Sequence, residues 1–369
     1  MIIGVPTEIK PEEYRVAITP VGVRELTAGG HRVVIQEDAG LGSAISNDDF
    51  AAIGAQIMPD AASVFAEADL ILKVKEPQLS EVEMLEERHM LFTFLHLAAY
   101  PEIARALLDS GATAVAYETV ELDSGALPLL APMSEIAGRM AAQSGAHHLE
   151  RPHGGRGVLI GGVAGVAPAH VVVLGAGMAG TNAAMVAAGM GADVTILDIN
   201  IGKLRHIDEL YRSAMVTVRS SIHAVEQFVS EADLVVGAVL VPGARAPVVV
   251  SEEMVATMRP GSVIVDISID QGGCIETAHE TTHHDPTYLV HDVVHYAVGN
   301  IPGAVPNTAT FALTNATLPY VVALAGGYHE AAARHPELVP GVNVAKGEVT
   351  HRAVAEALGV DSTPADQVL

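Results

Sequence analysis

Short apolar runs alternate with stretches of helical periodicity along most of the chain. The runs of the first third are rich in strand-forming residues and lie at positions 2–5, 31–36, 68–74, 90–95 and 113–117. A helical pattern begins with Thr19 as N-cap and Pro20 at the first helical position, and it stops at Gly29 and Gly30. Continuous apolar strands that alternate with helices predict a parallel sheet covered on both faces.

The pattern changes most clearly at residues 171–180, where an apolar strand-like run breaks into G-x-G-x-x-G and then a helical pattern. Gly175 permits a tight turn, Gly177 lets the backbone approach a pyrophosphate, and Gly180 lets the helix pack close to the strand. The amides at the start of the helix face the phosphates. The motif alone is weak, because a chain rich in glycine and alanine also produces this spacing by chance.

The second strand-like run of this region, residues 192–198, ends in Asp198, which lies 23 residues after Gly175. A carboxylate at this distance accepts hydrogen bonds from the adenosine ribose and repels a 2′-phosphate. Apolar runs at 232–239 and 262–267 continue the alternation. The spacing therefore predicts a Rossmann domain that binds NAD in preference to NADP.

The same region contains a run without charge, residues 157–192, that is long enough to suggest a membrane span. Scattered glycines, Pro168 and His170 interrupt it. We interpret the run as a buried strand followed by a helix.

Basic side chains follow three of the predicted strands in the first third of the chain. These side chains are Arg15, Lys73, Lys75 and His96. Ligands of parallel sheets bind beyond the carboxyl ends of the strands, so this group is a candidate carboxylate site. Each residue alone is also typical of a solvated surface charge or of a structural histidine.

Polar residues also follow the later strands. Asp270 comes after the run at 262–267 and precedes two glycines, so it is equally typical of a turn and of a functional carboxylate. Residues 298–303 end another strand near the same edge, and a helix that begins at Pro306 returns the chain to the first domain.

The segment 279–283 matches the H-E-x-x-H pattern of zinc proteases. That motif requires a helix that places both histidines on one buried face. The segment is polar and has two threonines and no apolar periodicity, so we predict neither a helix nor a zinc site there.

Composition excludes some classes of partner. The net charge of −24 disfavours nucleic acid and anionic membranes. Cys274 is the only cysteine, so no internal disulfide forms, and we expect a buried, unreactive side chain. Residues 1–6 lack a basic segment and enter a strand pattern at once, which predicts no signal peptide.

Taken together, the chain resembles the family of alanine dehydrogenase and the soluble nucleotide-binding part of pyridine nucleotide transhydrogenase. The resemblance covers essentially the whole chain and rests on separated blocks at residues 4–8, 15–17, 73–77, 91–96, 129–135 and 266–273. It implies a reversible, NAD-dependent oxidative deamination of L-alanine to pyruvate and ammonia, in a cytoplasmic homo-oligomer that is commonly a hexamer. It also implies that Arg15 and Lys75 hold the substrate, that His96 is the acid/base and that Asp270 assists.

The resemblance further implies a set of cofactor-contacting positions. They are Ser134, Gly175, Gly177, Met178, Ala179, Gly180, Asp198, Lys203, Ser220, Val239, Leu240, Ile267, Val298, Asn300 and Ile301. His279 stands where relatives carry a cofactor-facing arginine. Some relatives bind magnesium with the residue matching Glu118 and a histidine near position 327, where this chain has glycine. We therefore predict no metal site.

The predicted fold is α/β with two domains. A Rossmann NAD-binding domain, residues 131–306, is inserted into a discontinuous, flavodoxin-like substrate domain formed by residues 1–130 and 307–369. Two crossings of the chain between the domains predict a cleft.

Two other functions stay open. One is a related dehydrogenase that acts on another small 2-oxo acid, such as glyoxylate, or on a larger amino acid. The other is a non-catalytic, transhydrogenase-type NAD-binding module, which the joint presence of Arg15, Lys75, His96 and Asp270 disfavours.

Overall fold

The computed structural model describes residues 1–239 and 246–369, and these residues form two compact units. Unit 1 comprises Met1–Met133 and Val305–Leu369, and unit 2 comprises Ser134–Ala304. The chain passes from unit 1 into unit 2 once and returns once. Each unit is built on its own sheet.

The strands of the described residues follow in chain order. They are β1 (Ile2–Val5), β2 (Arg32–Gln36), β3 (Gln56–Met58), β4 (Leu70–Leu72), β5 (Met90–Thr93), β6 (Thr113–Ala116), β7 (His170–Leu174), β8 (Asp193–Asp198), β9 (Val216–Arg219), β10 (Leu234–Gly237), β11 (Val263–Asp266), β12 (Thr287–Val290), β13 (Val293–Tyr296), β14 (Val342–Ala345) and β15 (Glu348–Val349).

The helices of the same residues alternate with most of these strands. They are α1 (Pro20–Ala28), α2 (Asn47–Ala51), α3 (Ala61–Glu67), α4 (Leu79–Val82), α5 (Pro101–Ser110), α6 (Ala131–His148), α7 (Met178–Gly189), α8 (Ile201–Tyr211), α9 (Ile222–Glu231), α10 (Glu252–Thr257), α11 (Pro306–Ala325), α12 (Tyr328–Arg334), α13 (Leu338–Gly341), α14 (Arg352–Leu358) and α15 (Ala365–Val368).

Unit 1 has an eight-stranded sheet in the order β15-β14-β6-β5-β4-β1-β2-β3. Strands β1 to β6 are parallel, and β14 and β15 extend the sheet in antiparallel pairs. Without the three-residue edge strand β3, the parallel part has the flavodoxin-like order. The order reverses between β1 and β4, which is the topological switch point where ligands of such sheets bind.

Unit 2 has a seven-stranded sheet in the order β12-β13-β11-β10-β7-β8-β9. Apart from β12, which pairs with β13 in antiparallel orientation, its strands are parallel and follow the Rossmann order 3-2-1-4-5-6. The switch point lies between β7 and β10. The predicted α/β fold, with a Rossmann domain inserted into a discontinuous α/β domain, is therefore confirmed.

Apolar strands fill the centre of each unit, as the sequence pattern predicts. In unit 2 the side chains of Val171, Val172, Val173, Val235 and Val236 are fully buried, because helices cover both faces of the sheet. The charge-free run forms β7 and α7 with the intervening turn, so its interpretation as a buried strand–helix unit is confirmed.

Two helices, α1 in unit 1 and α6 at the passage from unit 1 to unit 2, have a proline in the first turn. Helix α1 begins at Pro20 after Thr19, as predicted, although the Thr19 side chain makes no capping hydrogen bond. Helix α6 begins at Ala131, and Pro132 lies in its first turn. Proline is well tolerated at this place in a helix.

Among the described residues, α11 is the one helix that could cross a membrane by length and composition. Within its apolar window, 56% of the residues are buried inside the protein. Core helices of globular domains meet the same criteria, so this helix is weak support for a membrane span.

Candidate functional site

The carboxyl edge of the unit 1 sheet carries an unusual density of buried charge. Arg15, Lys73 and Lys75, which the sequence analysis places after predicted strands, are buried and are therefore not solvated surface charges. Four glutamates of the same loops are buried with them, at positions 8, 13, 76 and 81. Buried charges are costly unless they are paired, so the pairing of each cation shows which one is left for a ligand.

The ammonium of Lys73 forms ion pairs with two carboxylates of the protein. Its Nζ lies 2.8 Å from Glu8 Oε2 and 2.8 Å from Glu81 Oε1. Burial opposes the charge on Lys73, but the two carboxylates outweigh it and raise the pKa of the ammonium. Burial also raises the pKa of Glu8, which holds the loop after β4 by accepting the Val74 N–H at 2.6 Å. Lys73 therefore has a structural role.

Lys75 is different from Lys73. Only 7% of the residue is exposed, and no carboxylate of the described residues lies within ion-pair distance of its ammonium. Glu76 is near enough to respond to its charge without making direct contact. A buried cation without a bound counter-charge is suited to receive an anionic ligand.

Arg15 is held by Glu13, which the sequence analysis did not identify. The Arg15 Nε donates to Glu13 Oε1 at 2.6 Å, and Nη2 contacts Glu13 Oε2. Nη1 contacts the Met133 sulfur at 3.0 Å. Because one edge of the guanidinium is taken by a bidentate carboxylate, its orientation is fixed by the fold.

His96 follows β5 in a constrained loop. Its φ of +49° lies in the left-handed region, which is uncommon for residues other than glycine and is often found at functional sites. Glu118 holds this backbone by accepting the His96 N–H at 2.6 Å and the Leu95 N–H at 3.1 Å. The imidazole stacks against Phe94, with ring centroids 5.7 Å apart, and is 26% exposed.

Glu76 connects the charged groups around His96. Its buried carboxylate contacts Lys10 Nζ through Oε1, while Oε2 lies 3.7 Å from His96 Nδ1. Burial opposes ionisation of Glu76, but the interactions with His96, Lys75 and Lys10 outweigh burial and lower its pKa to about 2. Glu76 is therefore ionised at neutral pH and faces the Nδ1 side of the imidazole.

The sequence analysis missed the roles of Glu13, Glu76 and Glu118 in placing the predicted residues. Glu76 is adjacent to Lys75 in the chain, and an acid within a basic loop was a visible signal. The partners themselves were not visible, because Glu118 and His96 come from loops that follow different strands. Glu118 accepts backbone N–H groups here, and positions 326 and 327 are glycines, as noted from the sequence.

The glycine-rich turn of unit 2 follows β7 at the switch point. Gly175 has a φ of +103°, and a Cβ there would lie 2.5 Å from the Ala238 oxygen. A Cβ on Gly180 would lie 1.8 Å from the Gly175 oxygen, so helix and turn require this glycine. A Cβ on Gly177 would meet no atom of the described residues within 4 Å. The protein therefore leaves open space at Gly177, as close approach of a phosphate requires.

Asp198 ends β8 beside this turn. Its Oδ2 accepts the Ala176 N–H at 2.7 Å, and its Oδ1 accepts the Asn200 N–H at 2.7 Å. Both bonds fix the carboxylate at the carboxyl end of β8, next to the start of α7. This is the position from which a Rossmann carboxylate reaches the adenosine ribose.

The other predicted cofactor positions fall mainly along the same edge of unit 2. Ser220, Val239, Ile267 and Val298 each follow the end of a parallel strand by one or two residues, and Asn300 and Ile301 come shortly after Val298. Met178 and Ala179 lie in the first turn of α7, Lys203 lies in the first turn of α8, and Ser134 lies in α6. Leu240 lies outside the described residues.

The loop after β11 is held by Asp266. This buried carboxylate accepts the N–H groups of Ser268, Cys274 and Ile275, and burial raises its pKa to about 6 despite these bonds. Asp270 lies in the resulting turn, Ile267–Gln271, and its Oδ1 accepts the Asn300 N–H at 3.3 Å. Cys274 is fully buried, and burial raises the pKa of its thiol, as expected for an unreactive cysteine.

The H-E-x-x-H segment is not helical, so the prediction against a helix is confirmed. His279 stacks on Tyr288 with ring centroids 3.7 Å apart, while His283 Nε2 lies 3.1 Å from the Asn300 oxygen. The two imidazoles therefore have separate environments.

Comparison with known proteins identifies related chains over the full length. The sequence model described as "Alanine dehydrogenase/PNT, N-terminal domain" matches residues 4–137, and "Alanine dehydrogenase/PNT, C-terminal domain" matches residues 141–352. The chain is 56% identical over 370 residues to a protein of Mycolicibacterium smegmatis named alanine dehydrogenase, and the match covers 100% of both chains.

Solved structures agree with this comparison. One described as L-alanine dehydrogenase is 50% identical, has a TM-score of 0.93, and is matched over 97% of this chain and 99% of its own. A transhydrogenase from Sinorhizobium meliloti is 27% identical, with a TM-score of 0.81 and coverage of 96% and 100%.

Proposed function

Because the chain belongs to the alanine dehydrogenase and pyridine nucleotide transhydrogenase family, we propose that it is an NAD-dependent L-alanine dehydrogenase. The enzyme oxidises the CH–NH₂ group of L-alanine to pyruvate and ammonia, and the reaction is reversible. One arrangement supports this function most: the buried ammonium of Lys75, without an ion-pair partner among the described residues, lies close to Glu76, whose carboxylate faces His96. The Lys75 ammonium can receive an anionic substrate, and the His96 imidazole can transfer protons.

NAD fits the carboxyl edge of unit 2. The open space at Gly177 admits the pyrophosphate, the first turn of α7 offers backbone N–H groups, and Asp198 accepts the ribose hydroxyls. When bound, NAD accepts the hydride from the substrate Cα. Val298, Asn300 and Ile301, with the further cofactor positions named above, complete this surface.

The substrate binds to unit 1 through its carboxylate. Glu13 fixes one edge of the Arg15 guanidinium, and we assign the substrate carboxylate to Arg15. The Lys75 ammonium stabilises the negative charge that develops on the oxygen at the substrate carbon. Neither residue needs to change its protonation state during the reaction.

His96 moves the protons. After the hydride leaves, the substrate is an iminium, and His96 takes a proton from the water that adds to its carbon. The resulting imidazolium protonates the amine of the carbinolamine. The neutral imidazole then takes the hydroxyl proton as the C–N bond breaks, which leaves the pyruvate carbonyl and releases ammonia. Imidazole can act in both directions because it titrates near neutral pH. Glu76 faces Nδ1 of the ring, which leaves Nε2 for water. For Asp270 we keep the assisting role that the family resemblance implies.

We also propose a cytoplasmic enzyme that acts as a homo-oligomer, a hexamer by analogy with the family. A single buried cysteine suits a reducing compartment. The charge of −24 disfavours nucleic acid and anionic membranes as partners. Light scattering coupled to size-exclusion chromatography tests the oligomeric state directly, and a monomeric mass would contradict it.

The function is tested by NAD reduction with a panel of L-amino acids, run alongside NADH oxidation with pyruvate or glyoxylate plus ammonia. We expect L-alanine and pyruvate to be the best substrates of their panels. Preference for glyoxylate or for a larger amino acid would indicate a related dehydrogenase. Binding of NAD without turnover of any amino acid would indicate a non-catalytic module.

A further inference from the structure

Three potential metal ligands converge at the C-terminal end of α6, and none belongs to the proposed substrate or cofactor residues. His147 lies in the last turn of α6, Glu150 follows the helix, and His153 ends the 3₁₀ turn Arg151–His153. One ligand atom from each lies within 4.8 Å of the others. We call His147, Glu150 and His153 the α6 triad.

The local fold brings the α6 triad together. On one continuous helix, residues at i, i+3 and i+6 spread progressively around the axis, because one turn takes 3.6 residues. Here α6 ends at His148, and the chain turns back with the His153 N–H bonded to the Glu150 oxygen at 3.1 Å. Gly155 permits the tight return, since a Cβ there would lie 2.2 Å from the His148 oxygen.

The ligand atoms of the α6 triad are close enough to converge on one ion after the closely spaced imidazoles rotate apart. His153 Nε2 lies 3.7 Å from Glu150 Oε2, and the ring centroids of His147 and His153 are 3.8 Å apart. In a tetrahedral zinc site with bonds of about 2.1 Å, neighbouring ligand atoms are about 3.4 Å apart. All three residues are exposed, so small side-chain rotations can bring the remaining atoms to that spacing.

The electrostatic setting favours a cation. The carbonyl end of the 18-residue helix α6 carries partial negative charge, and Glu150 adds a full one. The chain as a whole has a net charge of −24. Two imidazoles and one carboxylate form a borderline donor set that prefers zinc and its neighbours, whereas magnesium and calcium prefer oxygen ligands.

We propose that the α6 triad binds a divalent cation of the zinc class, with water in the fourth position. His147 and His153 each supply one imidazole nitrogen and Glu150 one carboxylate oxygen. The side chains of His147 and Glu150 also line an open groove of about 590 Å³, so water reaches the ion. The bound ion joins the end of α6 to the turn that follows it and stabilises unit 2.

No metal site was predicted from the sequence, because only two candidates were weighed and both were rejected. These were the H-E-x-x-H segment and the residues matched to magnesium-binding relatives. The spacing H-x-x-E-x-x-H was visible at positions 147–153. This spacing indicates a metal site only once α6 is known to end at His148, and the sequence pattern did not locate that end.

The test uses the tag-free, full-length chain, because an affinity tag of histidines would bind the same metals. After treatment with a chelator, the protein is titrated with Zn²⁺ by calorimetry and with Co²⁺ by visible absorption. We expect one ion per chain, a Co²⁺ spectrum of tetrahedral type, and an increase of several degrees in the melting temperature with Zn²⁺.

Variants assign the site. The double variant H147N/H153N should lose the Co²⁺ spectrum, and Glu150→Gln should weaken binding by at least about 10-fold, as loss of an anionic ligand requires. The matched control His223→Asn, at an exposed histidine in α9 of the same unit, should bind as the wild type does. L-Alanine-dependent turnover should be unchanged in all these variants.

Two results would overturn this proposal. The first is a wild-type chain that binds no Zn²⁺ or Co²⁺ at micromolar concentrations. The second is binding that persists unchanged in H147N/H153N, which would place the ion on other histidines. Both results leave the dehydrogenase function unaffected, since binding and melting temperature are measured without substrate or NAD.

Discussion

The carboxyl edges of the two sheets each contain a topological switch point, but different kinds of residues form the candidate site at each. At the edge of unit 1, function depends on buried charged side chains, such as Lys75 and the Arg15–Glu13 pair. At the edge of unit 2, it depends on backbone geometry, with glycines that leave space for a ligand and Asp198 fixed by two N–H groups.

This difference has an energetic consequence. Buried charges destabilise a fold unless partners compensate them. The charges that form the candidate anion site therefore lower the stability of unit 1. The glycine turn of unit 2, residues 175–180, contains no charged side chain, so this edge is prepared without a buried charge. Removal of the Lys75 charge in unit 1 should therefore lower activity and raise stability, whereas a Cβ on Gly177 in unit 2 should lower cofactor affinity with little change in stability.

The largest effect should come from Lys75→Met. Loss of the ammonium should lower kcat/KM for L-alanine by about 10²- to 10³-fold, as expected when a charged contact worth about 3–4 kcal/mol is removed. The same change should raise the free energy of unfolding by about 1 kcal/mol, because the cost of burying a charge without an ion-pair partner among the described residues outweighs its longer-range attraction to Glu76. Steady-state kinetics and urea denaturation check the two effects.

The control for this prediction is Lys346→Met, which removes an exposed charge at a distance in sequence from the proposed site. It should leave both quantities nearly unchanged. If Lys75→Met kept normal kcat/KM, Lys75 would not hold the substrate.

Glu76→Gln should change both activity and the pH dependence of stability. Turnover should fall by about 10-fold, because His96 loses its charged partner. The folded-state pKa of Glu76 is about 2, below its ordinary value of 4.5, so ionised Glu76 stabilises the protein above pH 4.5. This contribution, of about 3 kcal/mol, is lost as the pH falls from 4.5 to about 2.

The measurement is urea unfolding of wild type and Glu76→Gln at several pH values in this window. The difference in unfolding free energy between the two proteins should shrink as the pH falls. Glu330→Gln, which breaks an exposed ion pair with Arg334, should show no such trend. A difference between wild type and Glu76→Gln that is independent of pH would contradict the assignment of Glu76.

Two glycine substitutions test the edge of unit 2. Gly180→Ala should destabilise the protein by about 3 kcal/mol or prevent folding, because its Cβ would overlap the Gly175 oxygen. Gly177→Ala should change stability by less than about 1 kcal/mol, since its Cβ meets no atom of residues 1–239 and 246–369. It should nevertheless weaken NAD binding at least about 10-fold by filling the phosphate space.

Thermal unfolding and NADH fluorescence titration separate these two outcomes. Normal NADH affinity in a folded Gly177→Ala protein would mean that the pyrophosphate lies elsewhere.

The smallest effect should come from Asp198→Asn. The amide keeps a hydrogen-bond acceptor for the Ala176 or Asn200 N–H but loses the charge that repels a 2′-phosphate. The preference for NAD over NADP in kcat/KM should fall by about 10-fold, chiefly through better use of NADP. An unchanged preference would show that discrimination depends on other residues.

The contrast between the edges also explains what could be predicted from sequence. The glycine turn and Asp198 were recognisable because they are local features of one strand–turn–helix unit with fixed spacing. Arg15, Lys75 and His96 could be placed at an edge because each follows an apolar run. The fold class followed from the alternation of these runs with helical patterns.

The partners in unit 1 could not be predicted in the same way. Glu118 meets the backbone of His96 only because β5 and β6 are neighbours in the sheet. Lys73 and Lys75 looked equivalent in sequence. Lys73 is paired with Glu8 and Glu81, whereas Lys75 has no ion-pair partner in the part of the chain that the structure describes. Side-chain pairing between loops depends on register and burial, which a hydrophobic pattern does not encode.

His96→Ala tests the central claim most directly, because it removes the proposed acid/base and leaves the unit 2 edge unchanged. L-Alanine-dependent NAD reduction and NADH affinity are measured on the same preparation, with fluorescence titration for the cofactor. We expect His96→Ala to lose turnover by about 10²-fold or more, the usual size of a general acid/base contribution, with unchanged NADH affinity. Near-normal turnover in His96→Ala would contradict it.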